Sequence, residues 1–131
     1  MLKIKLVGTL EVVLRLLKVD PELARFRSIT NTTALFMAAW NNACRMAAAL
    51  LDLGVSVDAK SVANQTALMY AAILGLAEMA ELLLKRGADT AERDKEDLTA
   101  LQEAEKSDNV NKRAGAVAAA IRAHVARKAE L

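Results

Sequence analysis

The chain has 131 residues, enough for one domain whose core needs neither a metal nor a disulfide. Apolar residues make up 54% but aromatics only 3%, and one Pro with 5 Gly leaves little of the punctuation that many short strands require, so composition argues against an all-β fold and for helices built on Ala, Leu, Val and Met. The net charge of +2 conceals two blocks, eight acids against three bases over 88–108 and five bases with no acid over 109–128, and neither makes the broad basic field with stacking aromatics that a nucleic-acid groove needs.

At the N-terminus, "MLKIKLVGTLEVV" has too few apolar residues between Lys5 and Glu11 for a signal-peptide core. "GTLEVVLRLLKVDPELARFRS" then sets Gly8, Glu11, Val12, Val13, Leu16 and Leu17 in a helical pattern, with Asp20-Pro21-Glu22-Leu23 as the following turn. From residue 31 the chain repeats itself. Thr33-Ala34-Leu35 recurs as Thr66-Ala67-Leu68 and as Thr99-Ala100-Leu101, each step being 33 residues, and 31–63 shares eleven identities with 64–96.

Within 64–96 the pattern predicts a short helix over Ala67 to Leu74, a break at Gly75, a second helix over Ala77 to Arg86 and a stop at Gly87. Thr66 stands where an N-cap is wanted and Gly87 where a left-handed residue ends a helix. Met79, Ala80, Leu83 and Leu84 form an apolar stripe that one unit cannot bury alone and stacked neighbours can. "LTALQEAEKSDNVNKRAGAVAAAIRAHV" follows the same template with about five extra residues after Glu105. It predicts a longer last helix with Val110, Ala114, Val117, Ile121 and Val125 on one face, capped by Ser107 or Asp108. The longest uncharged apolar stretch, near residue 66, is about 12 residues against the ~20 of a membrane span.

"NQTALMYAAILGLAEMAELLLKRGAD" resembles an ankyrin repeat, whose pattern runs G-x-T-P-L-H-x-A-A-x-x-G-H-x-E-h-V-x-x-L-L-x-x-G-A-D; Thr66, Leu68, Ala71, Ala72, Gly75, Glu78, Leu83, Leu84, Gly87, Ala88 and Asp89 match it. Ala34, Ala67 and Ala100 replace the proline of that pattern, and Phe36, Met69 and Gln102 its histidine, so stacking should rest more on apolar packing. Asn31, Asn64 and Asp97 stand at its turn glycine and are residue types that tolerate positive φ. The resemblance implies an all-α solenoid of stacked helix-turn-helix units forming one domain over 1–131. Its units fall at about 1–30, 31–63, 64–96 and 97–131, two full central repeats between degenerate capping units.

The same resemblance implies a module that binds a partner protein through its concave face and turn tips, as an adaptor or a stoichiometric inhibitor that masks an enzyme. The positions that vary in the family and face the groove are Met37, Trp40, Asn41, Tyr70, Ile73 and Leu74, joined by Val62, Gln65 and Leu98 at the turns. Trp and Tyr in such a strip match the composition of interface hot spots. One alternative folds Trp40 and Ile73 between neighbouring units as core; another uses the strip for self-association as a structural protein.

Common catalytic constellations lack their members: there is one histidine, one cysteine, no Gly-rich phosphate loop and no Cys or His pair with metal spacing. The expectation is a non-enzyme without cofactor or metal. His124 is expected at the surface, where a cation near a helix end meets the dipole favourably. Cys44 is expected as a small packing residue, with a reactive thiol as the rival reading. Asp89, Glu92, Asp94, Glu96 and Asp97, interleaved with Arg93 and Lys95, are expected as a solvated loop, with a paired acid site or the acidic half of a docking surface as the rival readings. Lys112, Arg113, Arg122, Arg127 and Lys128 are expected as the soluble face of the last helix, with a role against an anionic partner as the rival reading. The lone Cys44 needs no oxidising compartment and excludes none, so it leaves the location open; the expectation is the cytoplasm, or the periplasm if a leader has been removed.

Overall fold

The computed structural model describes Arg15, residues 18–20, 34–61, 63–108 and 113–129; the helical pattern over Gly8–Leu17, apart from Arg15, and the expectations for Asn31, Val62, Val110 and Lys112 lie outside the described residues. Arg15, Lys18 and Val19 are helical. Six helices then follow in order: α1 (Ala34–Trp40), α2 (Cys44–Asp52), α3 (Ala67–Leu74), α4 (Ala77–Lys85), α5 (Ala100–Asp108) and α6 (Ala114–Ala129). No strand occurs among the described residues, so the all-α expectation holds.

Consecutive helices pack as pairs, α1 on α2, α3 on α4 and α5 on α6. Across pairs, α1, α3 and α5 stack as an inner row and α2, α4 and α6 as an outer row. Helices of seven to nine residues are too short to persist alone in water, so each depends on its neighbours for burial. The central inner helix α3 shows this most fully: Ala67, Leu68, Met69, Ala71 and Ala72 are all buried, the pattern of a helix covered on several sides. Its alanines let the inner helices approach closely. The outer helix α4 instead buries one stripe, Met79, Ala80, Leu83 and Leu84, while Glu78, Glu81 and Lys85 face solvent. One continuous core runs from Leu35 and Leu50 through Leu68, Met79 and Leu83 to Val117 and Ile121.

Local chemistry ends these helices where the sequence predicts. Thr66 is the N-cap of α3, its Oγ1 accepting from the Met69 N–H at 3.3 Å, and the Met69 sulfur accepts from the Thr66 N–H at 3.4 Å. Gly75 ends α3 in the left-handed region at φ 73°. Asn64 and Asp97, at the expected positive-φ turn position, have φ of 62° and 64°; Asn42, at the position matching Gly75, has 54°.

The last pair departs from expectation. Ser107 and Asp108 do not cap the final helix; they lie in the last turn of α5, and α6 begins at Ala114. Ala114, Val117 and Ile121 are buried as expected, but Val125 is 46% exposed. At 16 residues α6 outruns the nine of α4 and of α5. Gln102 departs as well. It is exposed, and its Oε1 accepts from the Thr99 N–H at 2.9 Å, a local cap, whereas Phe36 and Met69 at the equivalent positions are buried. No described helix is long and apolar enough to cross a membrane.

Candidate functional site

Leu35, Ala38 and Ala39 anchor α1 in the core, which turns Met37 and Trp40, one helical turn apart, outward. Met37 is 47% and Trp40 55% exposed, so Trp40 does not fold back between helices. Asn41 is half-buried, and both its backbone N–H, at 3.1 Å, and its Nδ2, at 2.8 Å, donate to the Met37 carbonyl near the end of α1.

On α3, Tyr70 matches Met37, and Ile73 and Leu74 match Trp40 and Asn41; all three are half-buried. The Tyr70 ring meets the Trp40 ring edge to face, with centroids 6.0 Å apart, and the buried Phe36 ring in the same manner at 5.0 Å. Such pairs add roughly 0.5–1.5 kcal/mol each beyond area burial. Phe36 therefore belongs to the strip as its buried support. The sequence reading treats it only as the substitute for a histidine, although an aromatic 34 residues before Tyr70 was the available signal.

Gln65 and Leu98, both half-buried, sit on two turns built alike. In the first, the Gln65 carbonyl accepts from the Ser61 N–H at 2.9 Å, and the Ser61 Oγ accepts from the N–H groups of Ala63 and Gln65 at 3.2 and 3.4 Å. In the second, the Leu98 carbonyl accepts from the Asp94 N–H at 3.0 Å, and the Asp94 Oδ1 accepts from the N–H groups of Glu96 and Leu98 at 2.9 and 3.0 Å. The turns are tied together, since the Arg93 carbonyl accepts from the Lys60 Nζ and the Asn64 Nδ2, each at 3.3 Å.

The acidic segment is not a uniformly solvated loop. Asp94 is only 7% exposed, because its carboxylate caps the turn, and Glu103, at the position matching Met37 and Tyr70, is only 5% exposed. Burial alone would raise the Asp94 carboxyl, but hydrogen bonds from Glu103, from the backbone of Leu98 and Glu96 and from the Gln65 side chain hold it below its ordinary value. Burial, then the hydrogen bond to Asp94 and its charge, push the Glu103 carboxyl up to about 7. Three other acids of the segment pair with bases: the half-buried Glu92 with Lys60 at 2.7 Å, and the exposed Glu96 and Asp97 with Lys106 at 2.9 Å and Arg93 at 3.8 Å. Arg113, Arg122, Arg127 and Lys128 are exposed as expected.

The remaining candidates for chemistry lose force on inspection of their surroundings. Cys44 is half-buried, and burial, then the nearby Glu78 charge, push its thiol up, away from the thiolate that nucleophilic attack requires. His124 lines a cavity of about 310 Å³ between α4 and α6, with Glu81, Leu84, Lys85, Ala120, Ala123 and Arg127. Its Nε2 is buried and meets no hydrogen-bond partner among the described residues. Burial, then Lys128 and Arg127, push its imidazole down, so the favourable terminal cation expected from the sequence is corrected to a disfavoured one. The dipole acts mainly within the last turn, and α6 runs on to Ala129. Among the described residues no group of three or more His, Cys, Asp or Glu is placed to hold a metal ion.

The architecture and this site can be compared with known proteins. A family model for ankyrin repeats matches residues 1–94 in 3 copies, covering the segment up to and including Asp94. No curated protein matches the chain.

Proposed function

This chain belongs to the ankyrin-repeat family, and on that premise we propose that Met37, Trp40, Asn41, Tyr70, Ile73 and Leu74, with Gln65 and Leu98 at the turn tips, form its partner-binding face. Ankyrin repeats generally mediate protein–protein interaction. The observation that carries the assignment is the exposure of Trp40 beside Met37, held from behind by the edge-to-face contact with Tyr70. A large aromatic kept in solvent yet fixed in one orientation is costly for the free chain and useful to a complex, because it enters the interface with little ordering left to lose.

The finer reading is a stoichiometric inhibitor or adaptor of an enzyme, acting by occupancy in the cytoplasm. It rests on the absence of reactive groups on the described face and on the resemblance to compact members that mask enzymes. The test is affinity capture with wild type and with Met37→Ala plus Trp40→Ala, folding being checked by circular dichroism. Loss of a protein recovered by the wild type, with affinity reduced about thirtyfold or more, is the expected result for a hot spot. Equal recovery sinks the assignment of the face. If the recovered protein is an enzyme, its activity should fall linearly to an end point at one chain per enzyme. Light scattering decides the self-associating alternative: a dimer lost in the double variant supports it, and a monomer at high concentration removes it.

A further inference from the structure

Three of the four Phe, Tyr and Trp residues of the chain meet at one end of the strip, although the core is built mainly on alanine, leucine and methionine. Phe36 and Trp40 lie one turn apart on α1, and the Tyr70 ring of α3 stands at 84° to both. Phe36 is buried. Trp40 is 55% exposed, so its indole does not fill the core and at least one of its faces is open. An aromatic face is negative at its centre and attracts cations, indole most strongly. Neither α1 nor α3 contains a charged residue, so the rings have no cation on their own helices. The turn tips carry the same sign. Over 58–65 and 91–98 there are five acids and three bases, and two of those bases are engaged, Lys60 by Glu92 and Arg93 by Asp97. An excess of acid therefore borders the strip. These turns lead into α3 and α5, whereas Trp40 is the last residue of α1. The eight residues of α3 make it about 12 Å long, so the acids lie about one screening length at 0.1 M salt from Trp40.

Resting on the reading of this strip as the binding face, we propose that the partner docks a basic segment on it: one arginine stacks its guanidinium on the open face of Trp40, and a second base meets the acidic turn tips. The two bases stand three or four residues apart, because an extended chain rises about 3.3 Å per residue over a span of about 12 Å. Arginine suits the first position better than lysine, since its planar, weakly hydrated guanidinium stacks on an aromatic plane. An apolar side chain would cover Trp40 as well but would gain nothing from the acids. An acidic one would be repelled by both the ring face and the tips.

The experiment titrates the free full-length chain with two blocked hexapeptides that carry, at their second and fifth positions, arginine in one and its uncharged isostere citrulline in the other. Trp40 is the only tryptophan, so its fluorescence reports on this spot alone. The arginine peptide should give a saturable change with a Kd of about 1 mM or tighter, and the citrulline peptide should bind about tenfold more weakly. Trp40→Leu keeps an apolar side chain and removes the ring face; followed by amide chemical shifts, it should weaken the arginine peptide about threefold to thirtyfold. Glu96→Gln plus Asp97→Asn should weaken it about threefold and flatten its dependence on salt. Equal affinity for the two peptides, or no saturable change from the arginine peptide up to about 10 mM, overturns the proposal. The binding face is judged separately. If Met37→Ala plus Trp40→Ala loses the captured protein while the two peptides bind alike, the face stands and the basic segment falls.

Discussion

His124 and Cys44 are the residues whose chemistry the surroundings change most. The imidazole value in the folded chain lies below its ordinary one, so the stability it permits is complete above about pH 6.5 and is lost as pH falls through the lowered value. Removing the unpartnered Nε2 should relieve this. We expect His124→Leu to stabilise the chain by about 1 kcal/mol at pH 5 and by less at pH 8, read from urea unfolding at both values. A variant weaker at pH 5 than wild type would mean that His124 finds a partner on protonation. The thiol of Cys44 shifts the other way. Its labelling by a thiol reagent at pH 8 should run slower than that of an unhindered cysteine, and Glu78→Gln should accelerate it, because Glu78 is the second cause after burial. Labelling faster than a free thiol would revive the reactive reading. Arg127 and Lys128, three and four residues after His124 on the same helix, were legible by spacing, but the burial of both groups and the Glu78 charge beside Cys44 were not, because they come from the packing of helix on helix.

At the scale of the element, the helix ends were legible where the signal is a single residue acting on its own backbone. Thr66 reads as a cap because a hydroxyl one residue before an apolar run can accept an N–H of the first turn, and it does so. Thr66→Ala should cost about 1 kcal/mol and Thr66→Ser much less, measured by chemical denaturation. Gly87 is equally direct. At φ 87° a Cβ would meet no atom within 4 Å, so any cost of Gly87→Ala is conformational strain, about 1 kcal/mol, and Gly87→Asn should cost less. Equal costs for Ala and Asn would place the penalty in packing instead. The start of α6 was not legible, because the extra residues after Glu105 break the period and Ser107 and Asp108, good caps by type, are taken into α5. Glu103 carries no expectation from the sequence, yet it is buried at the position matching the exposed Met37 and the half-buried Tyr70.

For the whole molecule, the period of 33 made the stack legible, since identical apolar positions at a fixed offset force identical helices to lie side by side. What it left open was how the strip proposed for binding divides between core and solvent. Trp40 on α1 is exposed, whereas Ile73 and Leu74 on α3, which packs against both α1 and α5, are half-buried. The stack also carries lateral ties beyond apolar packing: the Arg86 Nη1 donates to the Asp52 Oδ1 at 2.6 Å and the Asp89 N–H to the Asp58 Oδ1 at 2.8 Å. All of these link one helix pair or turn only to the next. Stability should therefore be distributed along one dimension, with damage at one end felt most nearby. Ile121 tests this, because it is buried on α6, which closes the stack by packing on α4, α5 and the edge of α3. Ile121→Ala should remove about 2–4 kcal/mol of local stability by leaving a cavity. Hydrogen exchange should then show amides of α5 and α6 losing most protection, those of α3 and α4 less and those of α1 and α2 least. Equal loss throughout would mean that the helices unfold as one indivisible core.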